Sequence, residues 1–232
     1  MIMSKIILSL EKKEHFKVAE KVQDYVDGWK INHIGYSIAD RERSHDWWSR
    51  LERFRLAHKK ELFVDFKLWD TPNTMKMVIE HILKMGATMT TISTFNNPSA
   101  LAAAAEYKDD LKLLGVTYLT SWSDAELYQV SRELEPLMWR RHIERMLKHE
   151  FAGVISSAHD IHYIREWGDP DHKLLNVCPG ITVETPDGEP FHSGQVRTTS
   201  VPEAEKLGAD CIILGRAVTE SHDPLLTIKT ML

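Results

Sequence analysis

The stretch Leu62–Thr74, LFVDFKLWDTPNT, decides how the rest of the chain is read. Leu62, Val64, Phe66 and Leu68 alternate with Phe63, Asp65 and Lys67, which is the period-two pattern of a strand. A turn follows, with Asp70 just past the strand. One face of the strand thus holds a carboxylate beside an ammonium, with a second carboxylate at its end. In a half-exposed antiparallel sheet those charges would simply be solvated. In a parallel sheet covered on both faces they are costly unless paired and used.

The segments on either side favour the parallel sheet. Strands are expected at Lys5–Leu10, Trp29–Gly35, Leu62–Leu68, Thr88–Ser93, Leu111–Leu119, Ala152–Ser156, Lys173–Val177 and Asp210–Leu214. Helix-like segments separate them: Glu14–Val26, a long charged helix through about His58, Asn73–Lys84, Pro98–Tyr107, Ser123–Leu134 with Pro136–His149, Asp160–Trp167 and Pro202–Leu207, then a short closing helix. Strand alternating with helix argues for a parallel sheet. Eight such units argue for a compact single-domain (β/α)8 TIM barrel over residues 1–232. A doubly wound open sheet usually has a Gly-rich turn after its first strand, whereas here that turn is SLEKKEHF. In a barrel, Phe63 fills the lumen, Val64, Phe66 and Leu68 pack under helices, and Asp65 and Lys67 project into the mouth, where active sites lie.

Composition narrows the function classes. The formal net charge of −5 gives no basic footprint for nucleic acid or an anionic membrane. A small anionic ligand would need a local cationic site. Cys178 and Cys211 form no C-x-x-C and no zinc-like spacing, which suits a reducing, cytoplasmic setting. The apolar run in MIMSKIILSLEKKEHF is too short for a signal peptide, and no stretch reaches the roughly 20 apolar residues of a membrane span. The long segment Pro179–Ser200, with three prolines and three glycines, is expected to be a functional loop. Several other features read as structural. His159 and His162 in HDIH lack a third ligand nearby and fit a solvated helix face. Cys178 fits a packed strand end better than a nucleophile. The Trp-rich HDWWSR and LMWRRH fit helices packed on the barrel.

DFKLWDTPNT resembles the Asp-x-Lys-x-x-Asp-Ile-Pro-Asn-Thr strand and turn of the orotidine 5′-phosphate decarboxylase family. Further segments fall in the family's order: GWKINH with Lys30, LLGVTYLTSW ending in Thr120-Ser121, FAGVISSA, NVCPGI, and GQVRTTSVPEAEKLGADCIILGRAV with Gln195, Gly215 and Arg216. The resemblance covers nearly the whole chain. It implies decarboxylation of orotidine 5′-monophosphate to uridine 5′-monophosphate, in pyrimidine biosynthesis, with no metal and no organic cofactor.

By that resemblance Lys67 is the cation beside the reacting carbon and its proton donor. Asp65 holds Lys67, and Lys30 extends the charged array towards the ribose. Asp70 and Thr74 serve the active site of the neighbouring subunit in a homodimer. Ser121 is assigned to the pyrimidine edge, Thr120 to substrate binding beside it, and Gln195, Gly215 and Arg216 to the 5′-phosphate, with residues 179–200 folding over it. Taken singly, Ser121 reads equally as a helix cap, Arg216 as a surface arginine and Lys30 as a solvated lysine. Glu11 stands where the family has a ribose-binding Asp. Other departures are Ser93–Asn97 for a His-Ala-Ser-Gly-like end of the fourth strand, Thr71 for isoleucine and Thr182 for arginine. The chain therefore reads as a divergent member. Two alternatives are a metal-dependent barrel of the same superfamily acting on a sugar phosphate, and a nucleotide-binding member with little or no turnover. The sugar-phosphate enzymes usually carry a glutamate where this chain has Lys30.

Overall fold

The computed structural model describes residues 4–41, 46–119, 122–132, 135–182 and 198–232. Eight parallel strands pair in chain order: β1 (Lys5–Leu10), β2 (Gly28–Ile31), β3 (Glu61–Leu68), β4 (Met89–Ser93), β5 (Lys112–Val116), β6 (Gly153–Ile155), β7 (Leu175–Cys178) and β8 (Cys211–Leu214). Strand β8 returns to β1, with Ile6 opposite Ile212 and Leu8 opposite Leu214, so the sheet closes on itself. Closure satisfies the edge hydrogen bonds that an open sheet leaves bare. The helices are α1 (Lys13–Val22), α2 (His33–Arg41), α3 (Asp46–Ala57), α4 (Pro72–Lys84), α5 (Pro98–Ala105), α6 (Asp124–Ser131), α7 (Glu135–Lys148), α8 (Ile161–Trp167), α9 (Val201–Leu207), α10 (Arg216–Thr219) and α11 (Pro224–Met231). Among the described residues no helix is long and apolar enough to cross a membrane.

The period of two along each strand sorts the side chains into two cores. Ile7, Phe63, Met89, Leu114, Val177, Cys211 and Ile213 pack together as the filling of the barrel. Leu8, Val64, Ile92, Leu113, Val154, Cys178 and Leu214 belong to the larger core under the helices. The two cysteines therefore face opposite sides of the wall. Both are buried, and burial pushes each thiol up to about 12, which fits small apolar side chains packed in the wall.

Two strands end well before the residue the sequence suggests. Strand β2 stops at Ile31 instead of running to Gly35, because the Asn32 side chain accepts the Ile34 and Gly35 N–H groups at 3.1 and 3.0 Å and starts α2. Gly35 is then forced by packing: a Cβ there would lie 2.2 Å from the Leu10 carbonyl. Strand β5 ends at Val116, short of the expected Leu119. The expected long helix through His58 consists of α2 and α3.

The bottom of the barrel is tied by charge. Glu61 accepts from Lys112 Nζ at 2.8 Å and from Lys5 Nζ, bridging β3 to β5 and β1. Burial opposes ionisation of Glu61, but the two lysines outweigh it and lower its pKa to about 2.

Candidate active site

Strand β3 is irregular where its charges stand. Phe63 and Val64 pair with Met89 and Thr90, and pairing resumes only at Leu68 opposite Ile92. Asp65, Phe66 and Lys67 thus face Thr91 alone, a bulge at the mouth of the barrel. Lys67 takes a left-handed backbone, φ +48°, which costs a non-glycine residue about 1–2 kcal/mol. Strain of this kind gathers at working sites, where the surrounding structure over-determines it. Phe66 stacks on His33 with ring centroids 4.5 Å apart and so anchors the outer side of the bulge.

The Asp65 carboxylate is the centre of the array. Lys67 Nζ donates to both of its oxygens at 2.9 Å, and Lys30 Nζ, from β2, donates to Oδ2 at 2.9 Å. The Thr91 hydroxyl donates to Oδ1 at 2.8 Å. Burial alone would raise the Asp65 pKa, but Lys30 and Lys67 overcome it and hold the carboxyl well below the usual carboxylate range. The Asp65 and Lys30 side chains are 10% and 12% exposed, against 43% for Lys67. Lys67 is therefore the most exposed member of the array.

Two adjoining cavities open above the array. One, about 230 Å³, is lined by Glu11, Lys30, Asp65, Lys67, Tyr118 and Pro179, among others. The other, about 290 Å³, shares Glu11 and Lys30 and extends to Lys12, Gly180, Gly215 and Arg216. Small-molecule sites span roughly 300–1,000 Å³, so the pair has room for an elongated ligand. A Cβ on Gly215 would meet nothing within 4 Å, so the bare glycine leaves that end open beside Arg216. The cavities thus have Lys67 at one end, Lys12 and Arg216 at the other and Lys30 shared by both, in a chain of net charge −5.

Six of the expected site residues meet here: Glu11, Lys30, Asp65, Lys67, Gly215 and Arg216. Asp70 does not. It is exposed and lines an outer depression with Trp69, Thr71, Asn96 and Asn97. Thr74 lies on the first turn of α4, its hydroxyl 3.1 Å from that of Thr71. Thr120, Ser121 and Gln195 lie outside the described residues, as does most of segment 179–200. The stem of that segment is described: Thr182 N–H donates to the Thr199 carbonyl at 2.9 Å, and Thr199 N–H to that of Gly180 at 3.1 Å.

Other contributors escaped the sequence reading. The Asn96 amide donates to the Leu68 and Ser93 carbonyls at 2.8 and 2.9 Å and accepts the Asp70 N–H at 3.1 Å, which fixes the turn carrying Asp70. His15 Nδ1 accepts the Glu11 N–H at 3.2 Å. Burial, then Lys12, lowers the His15 pKa, the direction that favours the neutral ring this bond needs. Neither contact has a sequence signal, because each depends on which strand end or helix faces the loop. His159 and His162 belong to no metal-ligating cluster among the described residues.

The chain matches the model of the "Orotidine 5'-phosphate decarboxylase / HUMPS family" over residues 4–231. The chain belongs to this family. An orotidine 5′-phosphate decarboxylase of Stenotrophomonas maltophilia is 30% identical over 231 residues, 96% of this chain and 92% of that protein. The one from Streptococcus uberis is 33% identical over 168 residues, 71% of this chain and 70% of that protein. The crystal structure of orotidine 5′-phosphate decarboxylase from Pyrococcus horikoshii superposes with a TM-score of 0.70 at 24% identity, covering 97% of this chain and 96% of that one. At that identity the superposition establishes the family's barrel fold. The strand-and-turn motif of the family falls on the bulged β3 and its mouth.

Proposed function

We propose that the protein is a carboxy-lyase that decarboxylates orotidine 5′-monophosphate to uridine 5′-monophosphate in pyrimidine biosynthesis. The observation that carries this reading is the Lys30–Asp65–Lys67 array beneath a cavity that continues to Gly215 and Arg216. The substrate carries an anionic carboxylate at one end and a phosphate at the other. The two cationic ends of the cavities fit that division.

Loss of CO2 breaks the bond between the ring carbon and the carboxylate. The electron pair stays on that carbon, in the plane of the ring, where the π system cannot take it. Stabilisation must then come from charge fixed beforehand at the right place. The Lys67 ammonium supplies it, held by an ionised Asp65. Lys67 next gives a proton to the ring carbon and regains one from water. No step calls for a metal or an organic cofactor, because the developing charge and the proton are both met by Lys67.

The remaining assignments follow the family pattern. Lys30 and Glu11 contact the ribose, Ser121 the base with Thr120 beside it in the substrate site, and Gln195, Gly215 and Arg216 the phosphate. Segment 179–200 closes over the phosphate, so that remote binding energy assists the chemistry. Asp70 and Thr74 serve the partner's active site in a homodimer. Support for that comes from the outer position of Asp70 and from the exposed Trp69 and Met77 on the same segment. The setting we assign is the cytoplasm.

The test is to incubate EDTA-treated protein with orotidine 5′-monophosphate and follow the loss of the orotate absorbance, with uridine 5′-monophosphate identified as product. Turnover is expected. Tight product binding without turnover, or activity only on a sugar phosphate with magnesium, would overturn the reading.

A further inference from the structure

The bulge in β3 needs something to hold it: the Thr90 hydroxyl of β4 donates to the Val64 carbonyl at its start at 2.9 Å, and Thr91 holds the bulged residues themselves. Across from Asp65, Phe66 and Lys67 stands Thr91 alone. The Lys67 N–H donates to Thr91 Oγ1 at 2.8 Å, and the Thr91 hydroxyl donates to Asp65 Oδ1 at 2.8 Å. A hydroxyl has one proton to give and lone pairs to accept with, so both bonds form at once. The bond to the carboxylate is charge-assisted and correspondingly strong. Thr91 is fully buried, and its backbone is fixed in the ladder opposite Leu114 of β5. The hydroxyl is therefore anchored to the rigid wall of the barrel.

We propose that Thr91 is a positioning residue that locks the strained backbone of Lys67 and the carboxylate of Asp65 into one register. Thr91 does not line the cavity above the array. It acts through its two neighbours. The left-handed Lys67 backbone is kept from relaxing by its N–H bond to Thr91, while the opposite side of the same oxygen orients the carboxylate that receives Lys67 Nζ. Both ends of the lysine side chain are thus referred to one atom. Without that atom the backbone and the carboxylate can drift apart, and a long lysine carries any backbone shift to its tip. The kinetic consequence rests on the decarboxylase reading, whereas the structural consequence does not.

Two substitutions separate positioning from packing. Thr91→Val keeps the volume and removes the hydroxyl, whereas Thr91→Ser keeps the hydroxyl and removes a methyl group. Thr91→Val is expected to lower kcat by roughly 10- to 100-fold, the scale of a displacement near 1 Å at a reacting centre, with KM within about threefold. Thr91→Ser is expected to stay within about threefold of the wild type in both parameters. Amide hydrogen exchange by NMR is the second readout: the Lys67 N–H should exchange faster in Thr91→Val than in wild type and stay protected in Thr91→Ser. Unchanged kcat in Thr91→Val, a greater loss in Thr91→Ser than in Thr91→Val, or equal Lys67 protection in all three proteins would overturn the proposal. A wild type with no turnover at all would defeat the decarboxylase reading instead, and Lys67 amide protection would then decide the role of Thr91.

Discussion

Replacing Asp65 with Asn removes the carboxylate that Lys30 and Lys67 share. Lys30 Nζ and Lys67 Nζ each lie 2.9 Å from Asp65 Oδ2, so the two ammonium groups are no farther apart than twice that distance. At such a separation, with an effective dielectric near 20, two like charges repel by about 3 kcal/mol. Lys67 is 43% exposed and swings partly into water, which reduces the cost to about 2 kcal/mol. The Asn amide also turns one accepting oxygen into a donor facing an ammonium. Urea unfolding at pH 7, followed by tryptophan fluorescence, should therefore show Asp65→Asn about 2 kcal/mol less stable than wild type. The double variant Asp65→Asn/Lys67→Ala should recover at least about 1 kcal/mol of that, because the repulsion is gone. Decarboxylation by Asp65→Asn should fall by roughly 10²–10³-fold, the usual cost of losing a preorganised electrostatic group. A double variant no more stable than Asp65→Asn would refute the reasoning, since it would mean the two lysines do not share the carboxylate.

Further outcomes follow from other contacts. His142 is fully buried against Phe95, and burial, then Arg141 and Arg145, lowers its pKa to about 4. The folded state therefore prefers the neutral ring: its contribution is complete above the unfolded value near 6.5 and is lost as the pH falls towards 4. His142→Phe should flatten the stability profile between those values, by about 2–3 kcal/mol at the acid end, in denaturant titrations at pH 7 and pH 4. Asn96→Ala removes the side-chain partner of the Leu68 carbonyl and of the Asp70 N–H, leaves the Ser93 carbonyl with only the backbone N–H of residue 96, and should cost about 2 kcal/mol in thermal or urea unfolding while lowering kcat. Arg216→Ala should raise KM for the phosphorylated substrate by about 10- to 100-fold in steady-state assays, the scale of a lost hydrogen bond to a charged group.

The architecture was legible because each unit writes its period into the sequence. The alternation in Leu62–Leu68 predicted Phe63 in the lumen and Val64 under the helices, and both are so placed. The neighbours of the charged pair were legible only in part. Asp65, Lys67 and Lys30 could be placed on their strands, but the bulge that orients Lys67 is set by the register between β3 and β4, and no local pattern in β3 encodes it. Thr91 looks like any β-branched strand residue, and Asn96 like any turn residue, until the pairing brings them to Asp65 and Asp70. The end of β2 was misread for a similar reason. The strand was expected to run on to Gly35, whereas the Asn32 side chain redirects the chain within one residue. Glu61 gave no signal at all, because its partners Lys5 and Lys112 come from strands far along the chain.

The central claim is that Lys67 supplies the charge and the proton for decarboxylation, and Lys67→Ala tests it most directly. Single-turnover decarboxylation of orotidine 5′-monophosphate should be measured for both proteins in EDTA, with binding of uridine 5′-monophosphate measured alongside. The account predicts turnover by the wild type, a fall of at least about 10³-fold in Lys67→Ala, and product binding retained by the variant. Turnover by Lys67→Ala close to that of the wild type would contradict it.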